Sequence, residues 1–225
     1  MKFTYLLVNF CAVIVPFVFS FHPRIKFNRN FPAFFKANLI AAALFLIWDA
    51  IFTAKNVWSF SPDYTLGIKF YNLPLEEVLF FVCIPFACTF SYHCATLFFK
   101  IKWSLAAENV FVWFFCSLLL ITGIIFWERA YTSVTFIGTA IFLLSLKFYF
   151  KVNWLPQFFT VYLFLLVPFF MVNGILTGTG LEEPVVSYNN AENLGIRLLT
   201  IPMEDVVYGM ELVMLNVFLY ERFKG

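Results

Sequence analysis

Apolar residues run through this chain in long stretches, and the breaks between them carry charge, Pro, Asn or Gly. A helix that crosses a hydrocarbon layer ~30 Å thick, at ~1.5 Å per residue, needs about 20 such residues. The pattern predicts seven helices, over 3–21, 33–54, 74–99, 104–127, 131–150, 155–177 and 202–220. Only two connections are long, 55–73 and 178–201, and both are rich in Asn, Pro, Asp, Glu, Ser and Gly. An even number of helices separates them, so both belong on one side of the membrane. The expected fold class is an all-α polytopic membrane protein with about seven transmembrane helices.

Composition agrees with that pattern. Of the 225 residues 62% are apolar, 12% charged and 22% aromatic, with 34 Phe, whereas soluble domains carry roughly 25% charged residues. The formal net charge of +2 offers no basic patch for nucleic acid and no acidic tail. Cys11, Cys83, Cys88, Cys94 and Cys116 lie inside apolar runs without C-x-x-C spacing, and read as small residues of buried helices. His22 and His93 are the only histidines that could join them; no metal site and no cofactor are expected.

Lys and Arg set an orientation. One set of loop ends holds Arg24, Lys26, Arg29, Lys36, Lys100, Lys102, Lys147, Lys151, Arg222 and Lys224, and the other only Lys2, Lys55, Lys69, Arg129 and Arg197. The positive-inside bias assigns the richer set to the cytoplasm, which puts the N-terminus and both long loops outside and the C-terminus inside, in the cell (inner) membrane. The first helix is not expected to be a cleaved signal, because the basic residues trail it instead of leading it.

The chain repeats itself. Leu66-Gly67-Ile68-Lys69 and Pro74-Leu75-Glu76-Glu77-Val78 match Leu194-Gly195-Ile196-Arg197 and Pro202-Met203-Glu204-Asp205-Val206 at a spacing of 128 residues. Asp49-x-x-x-Thr53 aligns with Asn173-x-x-x-Thr177 on the preceding helices. The expected organisation is a three-helix repeat in 1–100, a joining helix in 101–130 and a second three-helix repeat in 131–225. A single connecting helix lets both copies enter the membrane in the same sense, as parallel repeats.

Each Pro-x-acid-acid motif opens a helix. Proline suits the first helical position, where a missing N–H is harmless, and acids in the first turn are ordinary helix-start chemistry at the positive end of the macrodipole. Their duplication at matched places makes Glu76, Glu77, Glu204 and Asp205 candidate catalytic residues as well. Successive helical residues point ~100° apart, so one member of each doublet can face the bundle while the other meets a loop or a neighbouring helix. Glu204, Tyr208 and Glu211 share a face of the last helix, and an acid as deep as Glu211 is a functional candidate by default. Its counterpart in the first copy is Cys83. Trp48, Asp49, Asn173, Tyr208 and Glu211 are candidates for substrate binding. Asp49 reads equally as a catalytic partner or an interfacial acid, His93 as interfacial, Glu108 and Glu128 as end charges, and Asn173 and Asn216 also as hydrogen-bonding glue between helices. The many Phe rings read first as lipid-facing bulk. Ring faces also stabilise a cation within ~6 Å, so protonatable acids among rings suit carbocation chemistry on an apolar substrate.

Trp48-Asp49 with Thr53, Trp58, Gly67, Pro74-Leu75-Glu76-Glu77-Val78-Leu79-Phe80-Phe81 and Pro202-Met203-Glu204-Asp205 together resemble the membrane lycopene cyclases of the heterodimeric and fused type, which use no flavin. In that family two three-helix halves occur as separate subunits or as one fused chain, and the resemblance spans essentially all 225 residues. It implies cyclisation of the linear ends of lycopene, or a related linear carotenoid, to β-ionone rings. An acid protonates the terminal double bond, a neighbouring double bond closes the ring on the cation, and a base removes a proton, with coupled carboxyls sharing the proton. The second copy departs from the first in having Asn173 for Asp and no equivalent of the Trp pair, so the halves are not equivalent. Membrane lipid is the other expected partner, and a homo-oligomer is compatible with the pattern.

Rival classes meet specific gaps. The last helix, 202–220, has no lysine for retinal; Phe81 stands where a Glu-Glu-x-x-x-Arg protease needs Arg; Thr53 stands where a prenyltransferase needs its second Asp; and there is no G-x-G-x-x-G run. A small transporter or a carotenoid-binding scaffold is the remaining alternative outside enzymes, and an ε-type cyclase the alternative within them.

Overall fold

The structure is a computed structural model that describes residues 2–224. Its helices are α1 (Thr4–Phe19), α2 (Phe31–Ala54), α3 (Leu75–Phe98), α4 (Leu105–Ile125), α5 (Ala130–Leu144), α6 (Leu155–Leu176) and α7 (Met203–Phe223). A π-helical turn, Ser145–Tyr149, extends α5. Among the described residues five segments are long and apolar enough to cross a membrane: Phe27–Ala54, Leu75–Phe98, Leu105–Ile125, Ala130–Tyr149 and Leu155–Leu176. By the same measure α1 is short at 16 residues, and α7 carries Glu204, Asp205, Glu211, Glu221 and Arg222. Leu39, Val110 and Phe164 lie 73%, 69% and 74% exposed. Such residues would be a liability over a whole surface in water, but they match a surrounding of lipid chains.

Beyond the helices expected from periodicity, the long loops hold six short strands: β1 (Trp58–Phe60), β2 (Lys69–Phe70), β3 (Leu73–Pro74), β4 (Val186–Tyr188), β5 (Arg197–Leu198) and β6 (Ile201–Pro202). Two or three residues are too few for an alternating pattern to show in the sequence. Strand β1 pairs antiparallel with β4, with Trp58 opposite Tyr188 and Phe60 opposite Val186. This contact ties the two long loops together on one side of the bundle. β2–β3 and β5–β6 are small hairpins of equal register, Lys69 opposite Pro74 and Arg197 opposite Pro202. Both turns have a non-glycine residue at positive φ, Tyr71 at 58° and Leu199 at 60°, where glycine is the usual choice.

Helix packing crosses between the two halves. α1 lies against α3 and α5 against α7, while α2 packs on α7 and α6 on α3. Helix α4 packs mainly on α5.

Proline inside a helix leaves the carbonyl four residues earlier without its usual donor. In α3, Pro85 frees Phe81, and the buried Asn38 Nδ2 of α2 donates to that carbonyl at 2.9 Å. Asn38 also donates to Asn216 Oδ1 at 3.1 Å, and Asn216 Nδ2 donates to Leu212 O at 2.9 Å. Asn216 therefore bridges helices. At the other end, His93 is buried against Tyr220 Oη (3.1 Å) and Ile25 O (3.0 Å) in a cluster with Phe27 and Phe90. His93 is thus packed inside an aromatic joint near the C-terminal end of α3. Glu108 in the first turn of α4 pairs with Lys147 at 2.8 Å.

Candidate active site

Both acid doublets are set by the same local construction. Pro74 and Pro202 close β3 and β6, one residue before α3 and α7 begin. They sit one position earlier than expected, because each is paired in its hairpin. Leu66 N donates to Glu76 Oε1 at 2.7 Å, and Leu194 N donates to Glu204 Oε1 at 2.7 Å. Gly67 and Gly195 follow, with φ of 81° and 72°, a conformation in which a Cβ is strained. Each hairpin then ties back to the end of its preceding helix, by Asn72 Nδ2 to Ala50 O (2.8 Å) and by Thr200 Oγ1 to Gly174 O (3.4 Å). Two sequence units 128 residues apart thus make the same bonds.

This construction turns the doublets. Glu76 and Glu204 are fully buried behind their loops, and Glu204 Oε1 also accepts from Thr132 Oγ1 at 2.6 Å. Glu77 and Asp205 turn instead into a cavity of ≈ 240 Å³. Tyr5 Oη of α1 donates to Glu77 Oε2. Tyr131 Oη of α5 donates to Asp205 Oδ1 at 2.5 Å, and Tyr188 Oη of β4 to Asp205 Oδ2 at 2.9 Å. A third acid, Asp49 from the last turns of α2, accepts from Trp58 Nε1 at 2.5 Å and from Thr53 Oγ1 at 3.4 Å. Asp49, Glu77 and Asp205 line the same cavity, and the second oxygen of Asp49, Oδ2, is buried with no hydrogen-bond partner. Burial and the facing Asp205 push Tyr188 well above the ordinary tyrosine range, so it stays a neutral donor.

The polar end of the cavity is walled by rings. Trp58 lies 5.2 Å from Tyr131 and 6.3 Å from Tyr208, and Tyr131 stacks on Tyr188 at 5.9 Å. Of the sequence candidates, Asp49, Glu77, Asn173, Asp205 and Tyr208 line the cavity. Trp48 stands behind Tyr208, ring to ring at 5.0 Å. Glu211 faces α5, where Thr139 Oγ1 donates to it at 2.7 Å. Asn173 Nδ2 donates to Phe169 O at 3.4 Å, and so serves its own helix while lining the cavity. Tyr5, Tyr131 and Tyr188 were not singled out from the sequence. A usable signal was the tyrosine near the start of the first helix of each copy, Tyr5 and Tyr131. Among the described residues no three His, Cys, Asp or Glu side chains gather as metal ligands would.

The family model for lycopene cyclase matches residues 2–95 and 128–223, most of the chain. The chain belongs to the lycopene cyclase family. Relatives of this family member include the bifunctional lycopene cyclase/phytoene synthase of Podospora anserina, 34% identical over 47 residues, which are 21% of this chain and 8% of that one. The protein of the same description from Aspergillus niger is 32% identical over 53 residues, 24% of this chain and 9% of that one. The matched segments thus take in under a tenth of either relative. No solved structure matches.

Proposed function

We propose that the protein is a lycopene cyclase that closes the open ends of an acyclic carotenoid into β rings. The observation that carries this reading is the convergence of Asp49, Glu77 and Asp205 on one largely apolar, ring-lined cavity. In this reading the Asp49–Glu77 pair holds one proton and delivers it to the terminal double bond of the substrate. Electron density from the neighbouring double bond then closes the six-membered ring and leaves a cation on a ring carbon. Asp205, which accepts from two tyrosines, takes a proton from the adjacent carbon, giving the ring alkene. Protons in and out balance, so no redox partner is consumed. The faces of Trp58, Tyr131 and Tyr208 stabilise the intermediate cation, an interaction worth ~2 kcal/mol or more where water is excluded.

Glu76 and Glu204 position this chemistry instead of performing it. Each holds a loop amide, and so fixes the helix start that aims Glu77 or Asp205. Two parallel three-helix repeats, 1–100 and 131–225, joined by the helix of 101–130, account for the recurrence of these bonds and for the two separately matched stretches. All seven helices span the cell membrane in this reading, with the N-terminus and the acid end outside and the C-terminus in the cytoplasm. Expression in cells that accumulate lycopene tests the function: cyclic pigment is expected, and unchanged lycopene with the protein present in the membrane refutes it.

A further inference from the structure

The cavity continues well past the carboxyl cluster. On α3 its lining runs from Glu77 to Ser91 and on α1 from Tyr5 to Pro16, which at ~1.5 Å per residue is roughly 21 and 16 Å of depth. Three carboxyls and most of the hydroxyls sit at one end. The remainder is apolar: Ala12, Pro16, Ala87, Leu165 and Pro168 line it without a charge. Ser91 is no exception, because its Oγ donates to Ala87 O at 2.8 Å and its hydroxyl is already used. The small residues Ala12, Ala87 and Ser91 make room where bulkier ones would close the space. Pro168 of α6 lines the cavity and is exposed, and Ala12 and Pro16 of α1 line it half-buried.

We propose that this apolar arm is a track, entered from the bilayer between α1 and α6, that holds the polyene chain behind the reacting end, with Ala12 controlling entry and Ser91 the length of chain accepted. The inference rests on the cyclase reading for the identity of the polyene. The track has one carboxyl cluster, at one end, and a depth of roughly 16–21 Å, which takes one end of a linear carotenoid at a time. The two ends of a substrate are therefore cyclised in separate binding events, with release and reinsertion between them.

The test uses the full chain in detergent micelles and two acyclic polyenes with the same open end, lycopene and an analogue of half its length. Binding is read from quenching of tryptophan fluorescence, and turnover from the pigments formed. Ser91→Phe is expected to weaken binding and conversion of lycopene at least tenfold and to leave the short analogue as in the wild type, which also shows that the variant is folded. Ala12→Phe is expected to impair both substrates, and Leu163→Phe, on an exposed position of α6 outside the track, neither. Ser91→Phe handling both polyenes as the wild type does, or losing both alike, overturns the track. Ala12→Phe behaving as wild type overturns the entry route. A wild type that binds both polyenes but closes no ring overturns the cyclase reading and leaves the track standing, and no quenching by either polyene overturns both.

Discussion

Trp58 and Tyr188 face each other across the antiparallel β1–β4 pair, and each holds a carboxyl of the cavity: Trp58 Nε1 donates to Asp49 at 2.5 Å and Tyr188 Oη to Asp205 at 2.9 Å. One comes from each long loop, so a single strand pairing outside the helices sets acids that stand on α2 and α7. A cyclisation cation leaves no time for acid and base to be sought, and fixing both through one rigid contact keeps them aimed before the substrate arrives.

If that contact orients the acids, Trp58→Phe and Tyr188→Phe each remove one donor, Tyr188→Phe keeping its ring and Trp58→Phe replacing the indole by a smaller one. Each is expected to lower turnover with little change in substrate binding, and the double variant to lose more than either alone. Initial rates of ring formation over a range of lycopene concentrations separate the two effects.

The doublets are expected to divide sharply. Glu77→Gln and Asp205→Asn should each lower the rate by at least about a hundredfold, the scale of general acid–base catalysis. Glu76→Gln and Glu204→Gln keep an oxygen for the amides of Leu66 and Leu194 and should retain most activity. Glu76→Ala leaves the part-buried Leu66 amide without its acceptor and should cost about 1 kcal/mol of stability. Pigment analysis and thermal unfolding in detergent check the pair.

Residues 99–104 between α3 and α4 are non-helical, and Lys102 is exposed. Cutting the gene there separates Glu77 and Asp49 from Asp205. The halves, expressed together, are expected to reassemble through the α2–α7 and α3–α6 contacts and cyclise lycopene, with neither active alone. Ring formation by one half would contradict a shared site.

Topology reporters address the orientation. One fused to the C-terminus should read cytoplasm and one inserted in 55–73 the outer side; the opposite pattern would put the carboxyl end of the cavity at the cytoplasmic face.

The acid doublets could be read from the sequence because duplication marks them at a fixed distance from Gly and Pro. Which member of each pair faces the cavity could not, since that depends on where the loop amides of Leu66 and Leu194 lie. Glu211 illustrates the same limit. Its helix is surrounded by others, and periodicity gives the angle between Glu211 and Tyr208 but not which neighbour each meets. Tyr188 was hidden for another reason: it lies in a polar loop far along the chain from Trp58, and only a three-residue strand pair brings the two together. The helices themselves were legible to within a few residues, because apolar runs of this length permit little else.

Heavy-water labelling tests the central claim most directly. Membranes containing the protein are supplied with lycopene in deuterium oxide, and the cyclised pigment is examined by mass spectrometry after many turnovers. Protonation by exchangeable carboxyls at the Asp49–Glu77 pair predicts one deuterium for each ring formed, and label lost together with ring formation in Glu77→Gln. Rings that form without deuterium would show that no exchangeable acid starts the reaction, and would contradict the mechanism.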